Sequence, residues 1–347
     1  MSTDEQRRRV TARDVAAVAG VTPATVSKAL NNSPEVSEAT RSRVLEAVRR
    51  LGYRPNSVAR GLRARRTHTL GLVTDDLEGV FTTTMMRGVE EVASEQEFGV
   101  FLCNSYGSAA KERAHLEMLY DKQVDGVILL SGYRVRERGA PVRDLPGTPT
   151  VYLFQYTNDV PVPCILPDDE MGARIATEHL LGLGRRRIAF INGPPHYEAT
   201  HDRLAGYRAA LTAAGVDFRH ALVRMGSTWY QDEGYAQMSD LLDLSPVPDA
   251  VVCASDHMAA GALDALHSRG LRVPDDVAVV GFDDRAFSRH LRPPLTSVAL
   301  PLYEMGRLAG QRLLAAIGGE KQSHEFLRIP CDLVVRESCG APRGADR

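Results

Sequence analysis

From Thr69 onward the chain alternates short apolar runs with amphipathic helical stretches, and few architectures accept that rhythm. TLGLV precedes MMRGVEEVASEQ, FGVFLC precedes RAHLEMLYDKQ, and DGVILL leads on to TPTVYLF, which closes a first set near Phe154. Apolar runs of this length read as strands buried on both faces, and the helices between them supply the cover. The rhythm predicts α/β lobes with parallel sheets. A second set starts near Asp168. EMGARIATEHLLGL is its first helix and RRIAFI its first strand. A helix through Leu204–Ala214, the strand ALVRM and a helix after Trp229 follow, then DAVVCAS, HMAAGALDALHSRG and DVAVVGF. Two doubly wound lobes with a crevice at the carboxyl ends of their strands make a ligand site between them.

The first 66 residues follow another rule. Thr11 with Asp14 reads as a capping box, Val15, Ala16 and Ala19 form an apolar face, and Gly20 stops the helix. Thr22 is the N-cap of a second helix with Pro23 at its first position. A third runs from Ser37 to Leu51, with Val44, Leu45, Val48 and Leu51 at helical spacing, and ends at Gly52. Three short helices with a tight turn between the first two make a helix-turn-helix unit. The second helix turns Pro23, Ala24, Ser27, Lys28 and Asn31 outward. Small, hydrogen-bonding side chains are what a helix needs to enter a major groove about 12 Å wide. An ordinary solvated face has the same look, so charge must arbitrate. Residues 1–66 hold 14 Lys/Arg against 6 Asp/Glu, while the remainder holds 28 against 38. A basic head on an acidic body points to a polyanion rather than to a merely solubilising tail.

RPNSVARGLRARRTHT follows. Pro55 breaks the chain, and Asn56 or Ser57 caps a short helix. Leu62 sits amid Arg60, Arg63, Arg65 and Arg66. Such a leucine either wedges between base steps of a minor groove, with arginines on phosphates, or packs on the next domain as part of a linker. A helix this short is marginal alone and is expected to fold only on DNA.

DVAAVAGVTPATVSKALNNSPEVSEATRSRVLEAVRRLGYRPNSVARGL resembles the headpiece and hinge of the LacI/GalR family of bacterial transcriptional regulators. The body resembles that family's periplasmic-binding-protein-like effector domain, most plainly in ATEHLLGLGRRRIAFINGP, RVPDDVAVVGFDD and RPPLTSVALPLYEMGRLA. The resemblance implies an all-α helix-turn-helix headpiece over 1–56, a hinge over 57–68 and an α/β effector and dimerisation domain over 69–347. It implies that the chain crosses between lobes three times. The strands near Ser297 and Leu333 are then expected in the first and second lobes, giving an N-lobe of about 69–163 and 297–325 and a C-lobe of about 164–296 and 326–347. The implied DNA contacts are Thr22, Pro23, Ala24, Thr25, Ser27, Lys28, Asn31, Asn56, Arg60, Leu62 and Arg63. The implied partners are a pseudo-palindromic duplex, a second copy of the chain and a small effector.

Carried over position by position, the resemblance places Phe81, Tyr197, Arg203, Trp229, Asp256 and Asp283 around the effector. Tyr197 stands where purine-responsive members carry an arginine, and TDDLEGVF and Phe154-Gln155 also depart from the family pattern, which argues against a purine. Aromatic planes, an arginine fork and carboxylates suit a sugar on physical grounds. Each residue also has a bland reading: Asp256 and Asp283 as helix caps, Phe81 as core.

Other chemistry is not expected. Gly182-Leu183-Gly184 follows a helix rather than a strand and reads as a helix stop. His196 and His201 lack zinc spacing. Asp168, Asp169 and Glu170 cluster where a helix begins and oppose its dipole. No nucleophile–base set, P-loop or calcium loop is visible, so no catalysis, cofactor or metal is expected. No run approaches the roughly 18 apolar residues of a membrane helix. Five scattered cysteines without CxxC spacing and the lack of an export signal point to a reduced, cytoplasmic protein. A solute-binding protein of a transport system is the rival reading of the body alone.

Overall fold

The computed structural model describes residues 10–53, 66–131, 147–155, 162–321 and 325–342, in two compact units, Met1–Thr67 and His68–Arg347. Asn56, Arg60, Leu62 and Arg63 lie outside the described residues.

In the first unit, α1 (Ala12–Ala19) opens on the capping box: Thr11 N donates to Asp14 Oδ2 at 2.8 Å and Asp14 N to Thr11 Oγ1 at 3.4 Å. Gly20 ends it in the left-handed region at φ 65°. In α2 (Pro23–Leu30) the Thr22 hydroxyl accepts from Thr25 N at 3.1 Å. The third helix, α3 (Glu38–Leu51), is capped by Ser37 and ends at Gly52. Val15, Ala16, Ala19, Val26, Ala29, Val36, Val44 and Ala47 bury together. Arg41 fastens the loop before α3, donating to Asn32 Oδ1 at 2.9 Å and to the Ser33 carbonyl at 2.8 Å.

The second unit contains two six-stranded sheets. In chain order the elements of its first half are β1 (Thr69–Thr74), α4 (Val80–Glu95), β2 (Gly99–Asn104), α5 (Ala109–Asp121), β3 (Gly126–Leu130), β4 (Thr150–Leu153) and β5 (Cys164–Pro167). Then come α6 (Asp169–Gly182), β6 (Ile188–Asn192), α7 (Glu198–Ala213), β7 (Val223–Met225), α8 (Gln231–Leu242), β8 (Ala250–Cys253), α9 (Asp256–Ser268) and β9 (Ala278–Asp283). The chain closes with β10 (Thr296–Ala299), α10 (Leu302–Ile317), β11 (Phe326–Ile329) and β12 (Asp332–Val334). The first sheet has the order β11-β5-β4-β3-β1-β2 and is parallel throughout. The second has the order β12-β10-β9-β8-β6-β7, antiparallel only at β10–β12.

This topology corrects the expected lobe limits. Residues 164–167 form β5, which belongs to the first sheet, beyond β4. Ser297 lies in β10, which pairs with β9 at the heart of the second sheet. Only Leu333 is in its expected lobe; β11, at 326–329, pairs with β5 and belongs to the first sheet rather than the second. The crossings therefore fall after β5, between β10 and α10, and between β11 and β12. An apolar run announces a strand but not the sheet that will pair with it.

Three helix pairs pack through glycine. A methyl on Gly306 of α10 would overlap the Met85 carbonyl oxygen of α4. One on Gly206 of α7 would overlap the Glu170 carbonyl of α6, and one on Gly261 of α9 the Gln231 carbonyl of α8. Backbones thus touch directly in these pairs, which cover one face of the first sheet and both faces of the second.

Candidate nucleic-acid interface and effector cleft

On the first unit, α2 buries Val26 and Ala29, which leaves Ala24, Ser27, Lys28 and Asn31 at positions i, i+3, i+4 and i+7 of the other face. Thr22, Pro23, Ala24, Lys28 and Asn31 are exposed and Thr25 and Ser27 half-buried, so the residues read from the sequence share one accessible surface. Thr22 is also structural, because its hydroxyl serves as the cap. Lys28 pairs with Glu35 of the following loop, and that pairing holds the Glu35 carboxyl below its usual range.

In the second unit a cleft of about 290 Å³ opens where strands end. The first lobe contributes Asp76, Glu78, Phe81 and Thr82, around the start of α4, and Phe154, after β4. The second contributes Tyr197 and Arg203 from α7 and its approach, Trp229 and Tyr230 before α8, Ser255 and His257 at the start of α9, and Asp283 and Arg285 at the end of β9. Sites at the carboxyl ends of strands follow from the winding, since connections that leave neighbouring strands toward opposite faces of a sheet open a crevice there.

Arg203 forms the floor. It is 4% exposed. Its Nε donates to Asp169 Oδ1 at 2.8 Å, its NH1 donates to the Ala254 carbonyl, and Asp283 lies 3.7 Å from NH2. Burial works against the guanidinium charge, but Asp169 and Asp283 more than offset it and raise the pKa. Burial pushes the Asp283 carboxyl up to about 8 even with Arg203 opposing it. The Arg203 fork lies over the Phe282 ring, 3.7 Å from its centroid, and 5.5 Å from the centroid of Trp229.

Aromatic groups make the walls. Trp229, the chain's single tryptophan, stands 5.6 Å from Tyr197 between ring centroids. It lies so close to Gly193 that a methyl there would run into its ring. Phe81 faces Phe154 at 5.5 Å. The Thr82 hydroxyl is buried without a hydrogen-bond partner among the described residues. Asp283 and Phe154 adopt positive φ, 101° and 60°, a strained conformation for residues other than glycine and one that gathers at binding sites.

Five of the six expected effector residues therefore meet in the cleft: Phe81, Tyr197, Arg203, Trp229 and Asp283. Asp256 does not. Its carboxylate is fully buried and accepts from Arg285 N at 2.6 Å, Ser288 Oγ at 2.6 Å and Ser297 Oγ at 2.5 Å. It ties α9 to the loop after β9 and to β10, and has no face left for a ligand. Ser255, not Asp256, caps α9. Sequence reasoning missed Asp169, Thr82, His257 and Arg285. Only for Asp169 was there a signal: a buried arginine requires a carboxylate, and the acidic run at the start of α6 offered one.

A family model for bacterial regulatory proteins of the lacI family matches residues 11–56, and one for a periplasmic binding protein-like domain matches residues 177–339. The HTH-type transcriptional regulator CelR of Thermobifida fusca is 41% identical over 341 residues, covering 96% of this chain and 99% of the relative. The chain belongs to the LacI family. A solved CelR–cellobiose complex is 39% identical with a TM-score of 0.68, covering 95% of this chain and 100% of that one. The lac repressor dimer bound to operator and the anti-inducer ONPF is 29% identical with a TM-score of 0.83, covering 96% and 100%. As a LacI-family member the protein is a DNA-binding transcriptional regulator, and the match over 11–56 sets aside the solute-binding reading. The named relative is a transcriptional regulator. Among the described residues no helix is long and apolar enough to cross a membrane.

Proposed function

We propose that this regulator is a homodimeric repressor acting in the cytoplasm, with operator affinity set by a saccharide held between the lobes. The observation that carries the reading is the cleft itself. Aromatic planes from Trp229, Tyr197 and Phe81 suit the apolar faces of a sugar ring, while Arg203, Asp283 and the unpartnered Thr82 hydroxyl suit its hydroxyls. That CelR, a relative, was solved with cellobiose supports the same class of ligand. The lac repressor's dimer on its operator supports two headpieces reading a pseudo-palindrome, each inserting α2 into a major groove. Edge strand β2 exposes Phe101 and Leu102, with Tyr106 just beyond at 73% exposure, a surface suited to a second copy. Thr22, Pro23, Ala24, Thr25, Ser27, Lys28 and Asn31 would face bases and phosphates, with Asn56, Arg60, Leu62 and Arg63 following as the hinge.

The test is operator selection from a random duplex pool, then fluorescence anisotropy with and without cellobiose, glucose, ribose and adenosine. One of the saccharides should shift operator affinity roughly 5- to 150-fold. Lys28→Ala should lower the slope of log K against log salt by about 1. A response to adenosine alone would overturn the saccharide reading, and failure to select any duplex would overturn the operator.

A further inference from the structure

The cleft contains two arginines in opposite situations. Arg203 is committed: its nitrogens meet Asp169, Asp283 and the Ala254 carbonyl, and its guanidinium carbon lies over the Phe282 ring. The guanidinium of Arg285 makes no hydrogen bond or salt bridge among the described residues. It extends from the loop after β9 in the second lobe to lie over the Phe81 ring of the first, 5.3 Å from the centroid. The backbone beneath it is well anchored, since Arg285 N donates to the buried Asp256 carboxylate at 2.6 Å and Ser288 braces the same carboxylate. A firmly held backbone aims across the cleft a cation that no side chain hydrogen-bonds among the described residues, though it lies in the field of Asp283.

The opposite lobe offers a matching deficiency. Thr82, next to Phe81 in the chain, lines the cleft with a hydroxyl that is buried and has no hydrogen-bond partner among the described residues. A buried polar group without a partner is costly, and a native structure keeps one where something else completes it. Both groups are donors, and the hydroxyl is also an acceptor.

We propose that Arg285 and Thr82 are specificity-determining residues that bind one polar group of the effector, a ring or exocyclic hydroxyl, at the Phe81 end of the cleft. The proposal rests on the saccharide reading. In this structure Arg285 lies over the Phe81 ring, where a cation is held by the ring's negative face. In the bound protein it donates to the ligand oxygen, and Thr82 meets the same oxygen from the other lobe. The hydroxyl thereby joins the lobes. A sugar lacking it would still enter between Trp229 and Tyr197 but would not draw the lobes together.

The experiment is calorimetry on the full-length protein with the saccharide among cellobiose, glucose, ribose and xylose that binds the wild type most tightly, repeated with its mono-deoxy analogues. Arg285→Met keeps the stem and removes the donors; Thr82→Val is nearly isosteric. Each should weaken the parent sugar by roughly 10- to 100-fold, the range of a hydrogen bond to a charged or buried group. Arg285→Lys should recover part of the loss, and Arg289→Met, exposed on the same loop, should bind as the wild type does. One deoxy analogue should bind wild type and Arg285→Met alike. If both variants bind the parent sugar within twofold of wild type, the assignment of Arg285 and Thr82 fails and the saccharide reading stands. If no sugar binds the wild type, the saccharide reading fails and the proposal with it.

Discussion

Asp169→Ala tests whether the floor of the cleft is held by charge. Asp169 Oδ1 accepts from Arg203 Nε at 2.8 Å and faces NH2 at 2.8 Å, with side-chain exposures of 0% for Asp169 and 5% for Arg203. Removing one partner of a buried pair leaves an uncompensated charge, at a cost of about 3–5 kcal/mol. Asp283 moderates that cost. It stands 3.7 Å from NH2, and the Asp169 charge is one of the influences that keep its carboxyl pKa high. Without Asp169, Asp283 ionises more readily and supplies the missing charge, so the loss should fall near the lower bound, about 3 kcal/mol. At roughly 2–4 °C per kcal/mol for a domain of 150–250 residues, the melting temperature should drop by roughly 6–12 °C. Trp229 is the only tryptophan and lies in the cleft, so its fluorescence reports unfolding of this unit and not of the headpiece. The double variant Asp169→Ala/Asp283→Asn should lose more than the two single losses together, since no carboxylate then remains to answer Arg203. A single-variant loss below about 1 kcal/mol, or strict additivity in the cycle, would refute a charge-held floor.

Gly193→Ala places a methyl against the Trp229 ring; it should cost about 1–3 kcal/mol by overpacking, red-shift the tryptophan emission and weaken saccharide binding, all read by fluorescence titration. Asp283 has an inverted pH signature. Its folded pKa is raised to about 8 from an ordinary 3.8, so between those values the native state binds more protons than the unfolded state and stability falls as pH rises. Denaturation midpoints should therefore decline from about pH 4 to about pH 8, and Asp283→Asn should flatten the slope over that window.

The headpiece was legible because its determinants are local. Thr11 with Asp14, Thr22 with Pro23, Ser37, Gly20 and Gly52 each act within one turn, and each sits where its chemistry placed it. The lobes were legible as a rhythm and misread in their pairing. In VPVPCILP, the strand follows Pro163, ends on Pro167 and is only four residues long, too short to show a period, so β5 passed unnoticed and the first crossing was placed too early. Within the cleft, Phe81, Tyr197, Arg203, Trp229 and Asp283 were found through the family resemblance, whose positions converge where the strands end. Asp256 was misassigned because a buried carboxylate looks the same in sequence whether it faces a ligand or two serines and a backbone amide. Arg285 and Thr82 were invisible for the converse reason. Their interest lies in the partners they lack, which only the packed structure defines.

The placement of Arg203 ties the floor of the cleft to the joint between the lobes. Asp169 follows directly on the first crossing. There Asp168 N donates to the Ile329 carbonyl at 2.8 Å, and the Cys331 thiol donates to the Asp168 carbonyl at 3.5 Å, so the first and third crossings are bonded side by side. Beside Arg203 in α7, Asp202 accepts from Arg328 of β11 at 3.1 Å, a link from the second lobe to the first. The two ion pairs differ in kind. Arg203–Asp169 is buried within the second lobe and resists displacement. Arg328–Asp202 spans the lobes with side-chain exposures of 42% and 15%, and a partly solvated pair costs far less to break than the fully buried one. On the proposed saccharide reading, a rigid floor beside a joint braced by few side-chain contacts would let a ligand seated against Arg203 turn one lobe against the other while the lobe that holds it stays intact.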